Sequence, residues 1–270
     1  MVVNFARREI MCKIVYYGPG LCGKTTNLQA IHLKVPENMR GNLTSVATKQ
    51  DRTLFFDLLP LDIGKIKDFA VRLQLYTVPG QVYYNASRKI VLKGVDGVVF
   101  VADSQQGKMD ENVESFKNLR ENLRENGADP ATIPLVLQYN KRDLAPVYEI
   151  EELNRGLNPH LNISYFESIA NTGQGVFNTL KKITQMVVDD IKIKLEAADR
   201  APAAKPVAAP TPAPAPVKPV AEPVAVAETP QPATVKTAAA EEPVTQEPEQ
   251  ATVRKGFWSR IAGWFKRTGK

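Results

Sequence analysis

Along the first 200 residues, short apolar runs alternate with stretches in which apolar positions recur every three or four residues. The runs at 11–17, 97–102 and 133–139 read as buried strands, the second a central parallel strand because it is apolar throughout. Two further runs, 53–60 and 69–78, alternate instead. Leu54, Phe56 and Leu58 fall on one face of the first. Val71, Leu73 and Leu75 face away from Arg72, Gln74 and Tyr76 in the second. Ile63-Gly64-Lys65 between them fits a turn, so the pair reads as an antiparallel edge. A short strand is expected at 163–167. Helical spacing covers 24–34, ending before Pro36, then 109–125 and 174–195. The stretch 39–53 is polar and reads as a loop. Strands alternating with helices predict an α/β, doubly wound, mostly parallel sheet.

This pattern stops near residue 198. Twelve of the 20 prolines lie in 201–250, with no aromatic residue among them. Such a segment buries too little apolar surface to offset its ordering entropy, so 199–250 reads as a disordered Pro/Ala-rich linker. The net charge of +6 resolves along the same boundaries. The first 200 residues carry +3, the linker −3, and residues 251–270 six basic residues and no acid. A basic face for nucleic acid is therefore not indicated. No stretch is long and apolar enough for a membrane span, and the N-terminus lacks the apolar core of a signal peptide. Cys12 and Cys22 do not make a disulfide framework, which suits free thiols in a cytoplasmic protein.

Chemistry concentrates at strand ends. Gly18-Pro19-Gly20-Leu21-Cys22-Gly23-Lys24-Thr25 has the pattern G-x-x-x-x-G-K-[ST] directly after a strand and at the start of a helix. Glycines there let the backbone turn several N–H groups onto a polyphosphate, and the helix N-terminus adds its positive end. Lys24 then neutralises β/γ-phosphate oxygens, the Thr25 hydroxyl ligates Mg²⁺, and Thr26 follows in the nucleotide-binding turn. Asn140-Lys141-Arg142-Asp143 follows the strand 133–139. The Asp143 carboxylate, acceptor only, matches the ring N–H and exocyclic amine of guanine, a donor pair that adenine lacks on that edge. Lys141 can lay its stem along the base. Asn140 can tie this loop to the phosphate loop or face the base. Ser168-Ile169-Ala170 follows the next strand, where a backbone N–H can meet the guanine carbonyl. GTP and GDP with Mg²⁺ are thus the expected ligands.

Val78-Pro79-Gly80-Gln81 ends another strand. In small GTPases a glycine N–H at this place meets the γ-phosphate and the next Gln lies beside the attacking water. Gly80 and Gln81 occupy those positions. The metal-linked Asp usual three residues before the glycine is replaced by Thr77, and Asp57 is the candidate substitute. A switch loop needs a Thr that closes on Mg²⁺ and the γ-phosphate. Thr53 is the first choice and Thr48 the second, and Arg52 can serve as a cis arginine finger.

Four strings, 12–29, 51–57, 75–89 and 92–105, together resemble the MglA-type bacterial Ras-like GTPases of gliding motility and cell polarity, over about residues 6–195. The resemblance implies a small-GTPase G domain over 1–198 whose GTP hydrolysis is slow alone and stimulated by a dimeric roadblock-type activator (MglB-like). It implies that Arg52 and Gln81 are brought into place by a switch rearrangement, and that Thr77 in place of Asp is a family feature. It also implies a GTP-bound form at a cell pole that engages motility or pilus effectors. The exchange factor and effectors are not named by it, and the G domain is expected to be monomeric. The alternative is a nucleotide-binding polarity adaptor or scaffold with little intrinsic hydrolysis.

Residues 251–270 lie outside that resemblance. At 100° per residue Phe257, Trp258, Ile261, Trp264 and Phe265 share one arc, with Lys255, Arg260, Lys266, Arg267 and Lys270 outside it. This describes a helix for a membrane interface, worth roughly 1 kcal/mol per basic residue near an anionic leaflet. Docking into a protein groove is the competing reading. Gly256 and Gly263 favour a helix that forms only on binding.

Overall fold

The computed structural model describes residues 1–47, 55–66, 68–81, 84–160 and 163–200. The expectations for Thr48, Arg52, Thr53, the linker 199–250 beyond Arg200 and the tail 251–270 fall outside the described residues.

An eight-stranded sheet carries the fold. Its strands are β1 (Val2–Asn4), β2 (Glu9–Tyr17), β3 (Thr44–Ala47), β4 (Phe55–Ile66), β5 (Phe69–Thr77), β6 (Gly97–Asp103), β7 (Leu135–Asn140) and β8 (Tyr165–Glu167). They run in the order β3-β4-β5-β2-β6-β7-β8. The β5-β2-β6-β7-β8 stretch is parallel, and β3-β4-β5 is antiparallel. β1 pairs antiparallel with the start of β2. The helices are α1 (Lys24–Lys34), α2 (Asn85–Leu92), α3 (Met109–Glu125), α4 (Ile150–Leu157) and α5 (Val176–Arg200). The doubly wound, mostly parallel sheet expected from the hydrophobic pattern is present. Among the described residues no helix is long and apolar enough to cross a membrane.

Alternation along the central strands makes two cores. Ile14, Tyr16, Leu73, Leu75, Val99 and Val101 pack under α1 and α5. Val15, Tyr17, Val98, Phe100, Leu137 and Tyr139 pack under α2, α3 and α4. The mostly apolar sequences of β6 and β7 follow from this, because every residue in both strands is buried, Gln138 and the terminal Asp103 and Asn140 included.

The structure corrects three local readings. Ile63-Gly64-Lys65 is no turn. β4 continues through it with a register shift between Asp62 and Lys65, and the reversal falls where Ile66 faces Phe69. Gly64, at φ 98°, donates its N–H to Asp62 Oδ1, so a glycine plus an Asx contact made a bulge resemble a turn. The inward face of β4 is Leu59, Leu61 and Ile63, while Phe56 on the other face packs against Tyr76 at 5.6 Å between ring centroids. Finally, the polar stretch read as a loop contains β3, an edge strand whose residues need cover on one side only.

α2 and α4 are eight residues each, too short for their apolar spacing to stand out as a repeat. α2 buries Ser87 and Arg88 alongside Val91 and Leu92. α4 buries only Leu153 and Leu157, and is started by a capping box between Glu149 and Glu152.

Candidate functional site

The C-terminal ends of β2, β5, β6, β7 and β8 converge on one rim, where ligands bind in sheets of this kind. Tyr17 leads from β2 into Gly18, whose φ of 147° and tight seat admit no side chain: a Cβ there would lie 2.1 Å from the Val101 carbonyl oxygen. Leu21 (φ 59°) and Gly23 (φ 99°) are both left-handed, the geometry that folds a loop around an anion. Leu21 accepts that conformation with its side chain 92% exposed. Pro19 is buried, and Gly20 has open space where a side chain would be. α1 then starts at Lys24 with no side-chain cap on its free N–H groups. Thr25 is exposed and Thr26 half-buried in that first turn.

Lys24 is buried, and its Nζ donates to the carbonyls of Gly18 at 3.0 Å and Pro19 at 2.5 Å, with Cys22 Sγ at 3.6 Å. A cation held by loop carbonyls at the mouth of an N–H cradle fits a polyphosphate. Burial raises the Cys22 thiol above its ordinary range, against the pull of Lys24, so it stays neutral.

The Thr25 hydroxyl donates to Asp57 Oδ2 at 2.6 Å. Thr77 donates to the same oxygen at 2.9 Å and accepts the Asp57 N–H at 2.9 Å. Ser45 on β3 donates to Asp57 Oδ1 at 2.6 Å. One carboxylate is thus gripped by three hydroxyls beside the phosphate loop. Among the described residues there is no group of three or more His, Cys, Asp or Glu fit to hold a metal. One hydroxyl and one nearby carboxylate instead suit Mg²⁺, which keeps waters and takes phosphate oxygens.

At the ends of β7 and β8, Asn140 is buried and bridges three loops. Its Nδ2 donates to the Cys22 carbonyl at 2.8 Å, and its Oδ1 accepts from Ser168 Oγ and Ala170 N–H, both at 3.0 Å. Of the two roles open to it, the tie to the phosphate loop is the one formed. Lys141, at φ 65°, donates to Asp103 Oδ2 at 2.6 Å and Gln105 Oε1 at 3.3 Å. Asp143 is exposed at the rim. The N–H groups of Ser168 and Ile169 go to the Tyr139 and Gln174 carbonyls. With Ala170 N–H on Asn140, an amide reaching a guanine carbonyl must share its hydrogen.

Gly80 presses on the phosphate loop. A Cβ at Gly80 would meet Gly20 N at 2.4 Å and the Pro19 carbonyl carbon at 2.5 Å. Gln81 follows, exposed. Its carbonyl accepts from Arg88 Nη1 at 2.7 Å. The structure therefore groups Lys24, Thr25, Asp57, Thr77 and Gly80 at one end and Asn140, Lys141, Asp143 and Ser168 at the other.

Ser45, Asp103, Arg88 and Arg142 escaped the sequence reading. Asp103 had a signal, an acid closing an apolar run. Ser45 sits in the strand taken for a loop, and Arg88 and Arg142 look like surface charges until their partners are seen.

Comparison with known proteins agrees with this geometry. Residues 13–189 match the model of the Ras family. Over 190 residues the chain is 57% identical to the mutual gliding-motility protein MglA of Myxococcus xanthus (strain DK1622), covering 70% of this chain and 97% of that protein.

Proposed function

Because this chain belongs to the Ras family and is a P-loop small GTPase, we propose that it is a GTP/GDP switch for cell polarity and gliding or pilus-driven motility. The observation that carries the nucleotide reading is the buried Lys24 ammonium, turned onto the carbonyls of its own loop at the start of α1. In this reading Lys24 and the N–H groups of residues 20–26 bind the phosphates. Thr25, with Thr53 in the GTP state, ligates Mg²⁺, and Asp57 stands in for the Asp that Thr77 replaces. When bound, Mg²⁺ supplies a hard positive charge that offsets charge on the γ-phosphoryl oxygens. Asp143 reads the guanine edge, Lys141 lines the base, and Asn140 holds the two loops in register. Gly80 donates its N–H to the γ-phosphate, and Gln81 orients the attacking water. Arg52 enters as a cis finger.

Hydrolysis is slow alone and quickens with a dimeric roadblock-type activator. Single-turnover GTP hydrolysis with and without such a dimer tests this. Tighter binding of ATP than GTP, or a rate unchanged by the activator, overturns it. Lys24→Ala removes the phosphate cation and abolishes GDP binding by titration.

The cytoplasmic G domain acts as a monomer, with its GTP form at a cell pole. Residues 254–270 fasten it peripherally to the membrane, supported by their segregated aromatic and basic positions. The full chain should sediment with anionic vesicles at low salt and lose this at high salt, where screening shortens to about 3 Å. Equal sedimentation after deletion of 251–270 overturns the anchor.

A further inference from the structure

Arg88 is a basic residue on an eight-residue helix, yet it is only 6% exposed. A guanidinium is costly to bury, so its partners indicate what it holds in place. Nη1 donates to the Gln81 carbonyl at 2.7 Å and lies 3.5 Å from that of Pro79. These two carbonyls flank Gly80. The guanidinium therefore grips the main chain on both sides of the residue pressed against Pro19 and Gly20.

A polar chain runs on from there. Arg88 Nη2 lies 3.5 Å from Asn85 Oδ1, which accepts from Asn122 Nδ2 at 2.9 Å. That Nδ2 is also within reach of Tyr17 Oη at 3.1 Å and Asn118 Oδ1 at 3.0 Å. The Tyr17 hydroxyl donates to Asn118 Oδ1 at 2.6 Å. Burial pushes the Tyr17 phenol up to about 12, so it remains a donor. Tyr17 immediately precedes Gly18. One network thus joins the main chain at Gln81, helices α2 and α3, and the stem of the phosphate loop.

We propose that Arg88 is a positioning residue for hydrolysis, fixing the main chain of Gln81 so that the exposed side chain leaves the loop in the direction of the attacking water. The inference rests on the reading of Gln81 as the residue that orients that water. With the Pro79 and Gln81 carbonyls both held by a charged donor, the main chain is restrained before and after Gly80, and with it the direction in which the Gln81 side chain leaves. Lysine at position 88 keeps the charge but has one nitrogen, where the guanidinium puts Nη1 on the two carbonyls and Nη2 beside Asn85 in one rigid plane.

The test uses the full chain with Arg88→Lys, Gln81→Ala and the double variant. Single-turnover GTP hydrolysis, affinity for a fluorescent GDP and Tm are measured for each. Arg88→Lys should hydrolyse ~10- to 100-fold more slowly, the loss that goes with a misplacement of about 1 Å. Its GDP affinity should stay within about twofold, because the network touches no phosphate-binding group directly. The double variant should be no slower than Gln81→Ala alone, since a residue acting through another adds nothing once that one is gone. A merely structural role would lower Tm and GDP affinity together and give multiplying rate losses.

Gln81→Ala slow with Arg88→Lys at the native rate overturns the assignment of Arg88 and leaves Gln81 standing. Gln81→Ala at the native rate overturns the Gln81 reading and the inference built on it. If Arg88→Lys does not fold, Asn85→Ala breaks the same chain without touching the guanidinium. A slowing non-additive with Gln81→Ala then supports the inference, and an additive one overturns it.

Discussion

The Thr25 hydroxyl meets the Asp57 carboxylate across 2.6 Å, linking the first turn of α1 to the antiparallel flank of the sheet. In the proposed reading, this contact is how a chain with Thr77 at the customary Asp position would still place a carboxylate beside Mg²⁺. Asp57 lies on the neighbouring strand, and Thr77 holds it with two bonds of 2.9 Å.

Asp57→Ala should therefore behave as a loss of metal support. Outer groups that orient metal ligands are typically worth 10- to 100-fold in metal affinity. The Mg²⁺ concentration that half-maximally slows GDP release should rise by about that factor. Thr77→Ala should give a smaller rise in the same direction, since Ser45 still holds the other carboxylate oxygen. An unchanged Mg²⁺ titration for Asp57→Ala would assign the carboxylate to the strand pairing alone.

The seat of Gly80 gives a second test. A methyl group there would sit 2.4–2.5 Å from main-chain atoms of Pro19 and Gly20, so the loop must retreat. Gly80→Ala should withdraw its own N–H and the neighbouring Gln81 from the γ-phosphate site. A retreat of about 1 Å costs up to about 100-fold in rate. GDP affinity should hardly change, because GDP lacks the phosphoryl group that Gly80 would meet. Equal loss of GDP and GTP binding would show that Gly80 supports the phosphate loop itself.

These two sites were unequally legible in the sequence. The helix bounds 24–34 and 109–125 coincide with α1 and α3: α1 opens directly after the phosphate loop and ends before Pro36, and α3 repeats Phe116, Leu119 and Leu123 on its buried face. The phosphate loop was readable because its glycines meet a local backbone demand. Asp57 was readable only as a substitute, since its value lies in three hydroxyls from residues 25, 45 and 77. Arg88 was not readable at all. A charged residue on a short helix reads as a surface charge, and only the packing of α2 against the sheet and α3 buries it. The bulge at Gly64 misled for the opposite reason: its local signal is that of a turn, and the pairing of β4 with β5 overrides it.

Arg142 offers a test of the loop proposed to bind the base. Its Nη1 donates to the Tyr148 carbonyl at 2.7 Å and its Nε to Glu167 Oε2 at 2.9 Å, so it fastens the loop between Lys141 and Asp143. Glu167 is half exposed, and such pairs are worth at most about 1 kcal/mol. The bond to the carbonyl, made by a mostly buried guanidinium, is worth about 1.5 kcal/mol or more. Arg142→Ala should hasten GDP release about 10-fold, and Glu167→Ala less than about fivefold. The reverse order, by stopped-flow release of fluorescent GDP, would place the work in the ion pair.

Asn140 bears the heaviest structural duty on this rim. Removing its amide leaves the Cys22 carbonyl, the Ser168 hydroxyl and the Ala170 N–H without their partner in a buried position. Each buried polar group so orphaned costs about 1–3 kcal/mol, and relaxation or an entering water keeps the sum toward the low end. A net loss of about 3 kcal/mol corresponds to a fall in Tm of roughly 6–12 °C for a domain of this size. Asn140→Ala should show that fall even in nucleotide-free protein, where base contacts contribute nothing. Ser168→Ala, which removes one hydroxyl and leaves Asn140 its other two bonds, should lose about 1 kcal/mol. If nucleotide-free Asn140→Ala melts with the native protein and only the GDP-bound form is weakened, Asn140 acts on the base and the bridge between the loops is not what it supplies.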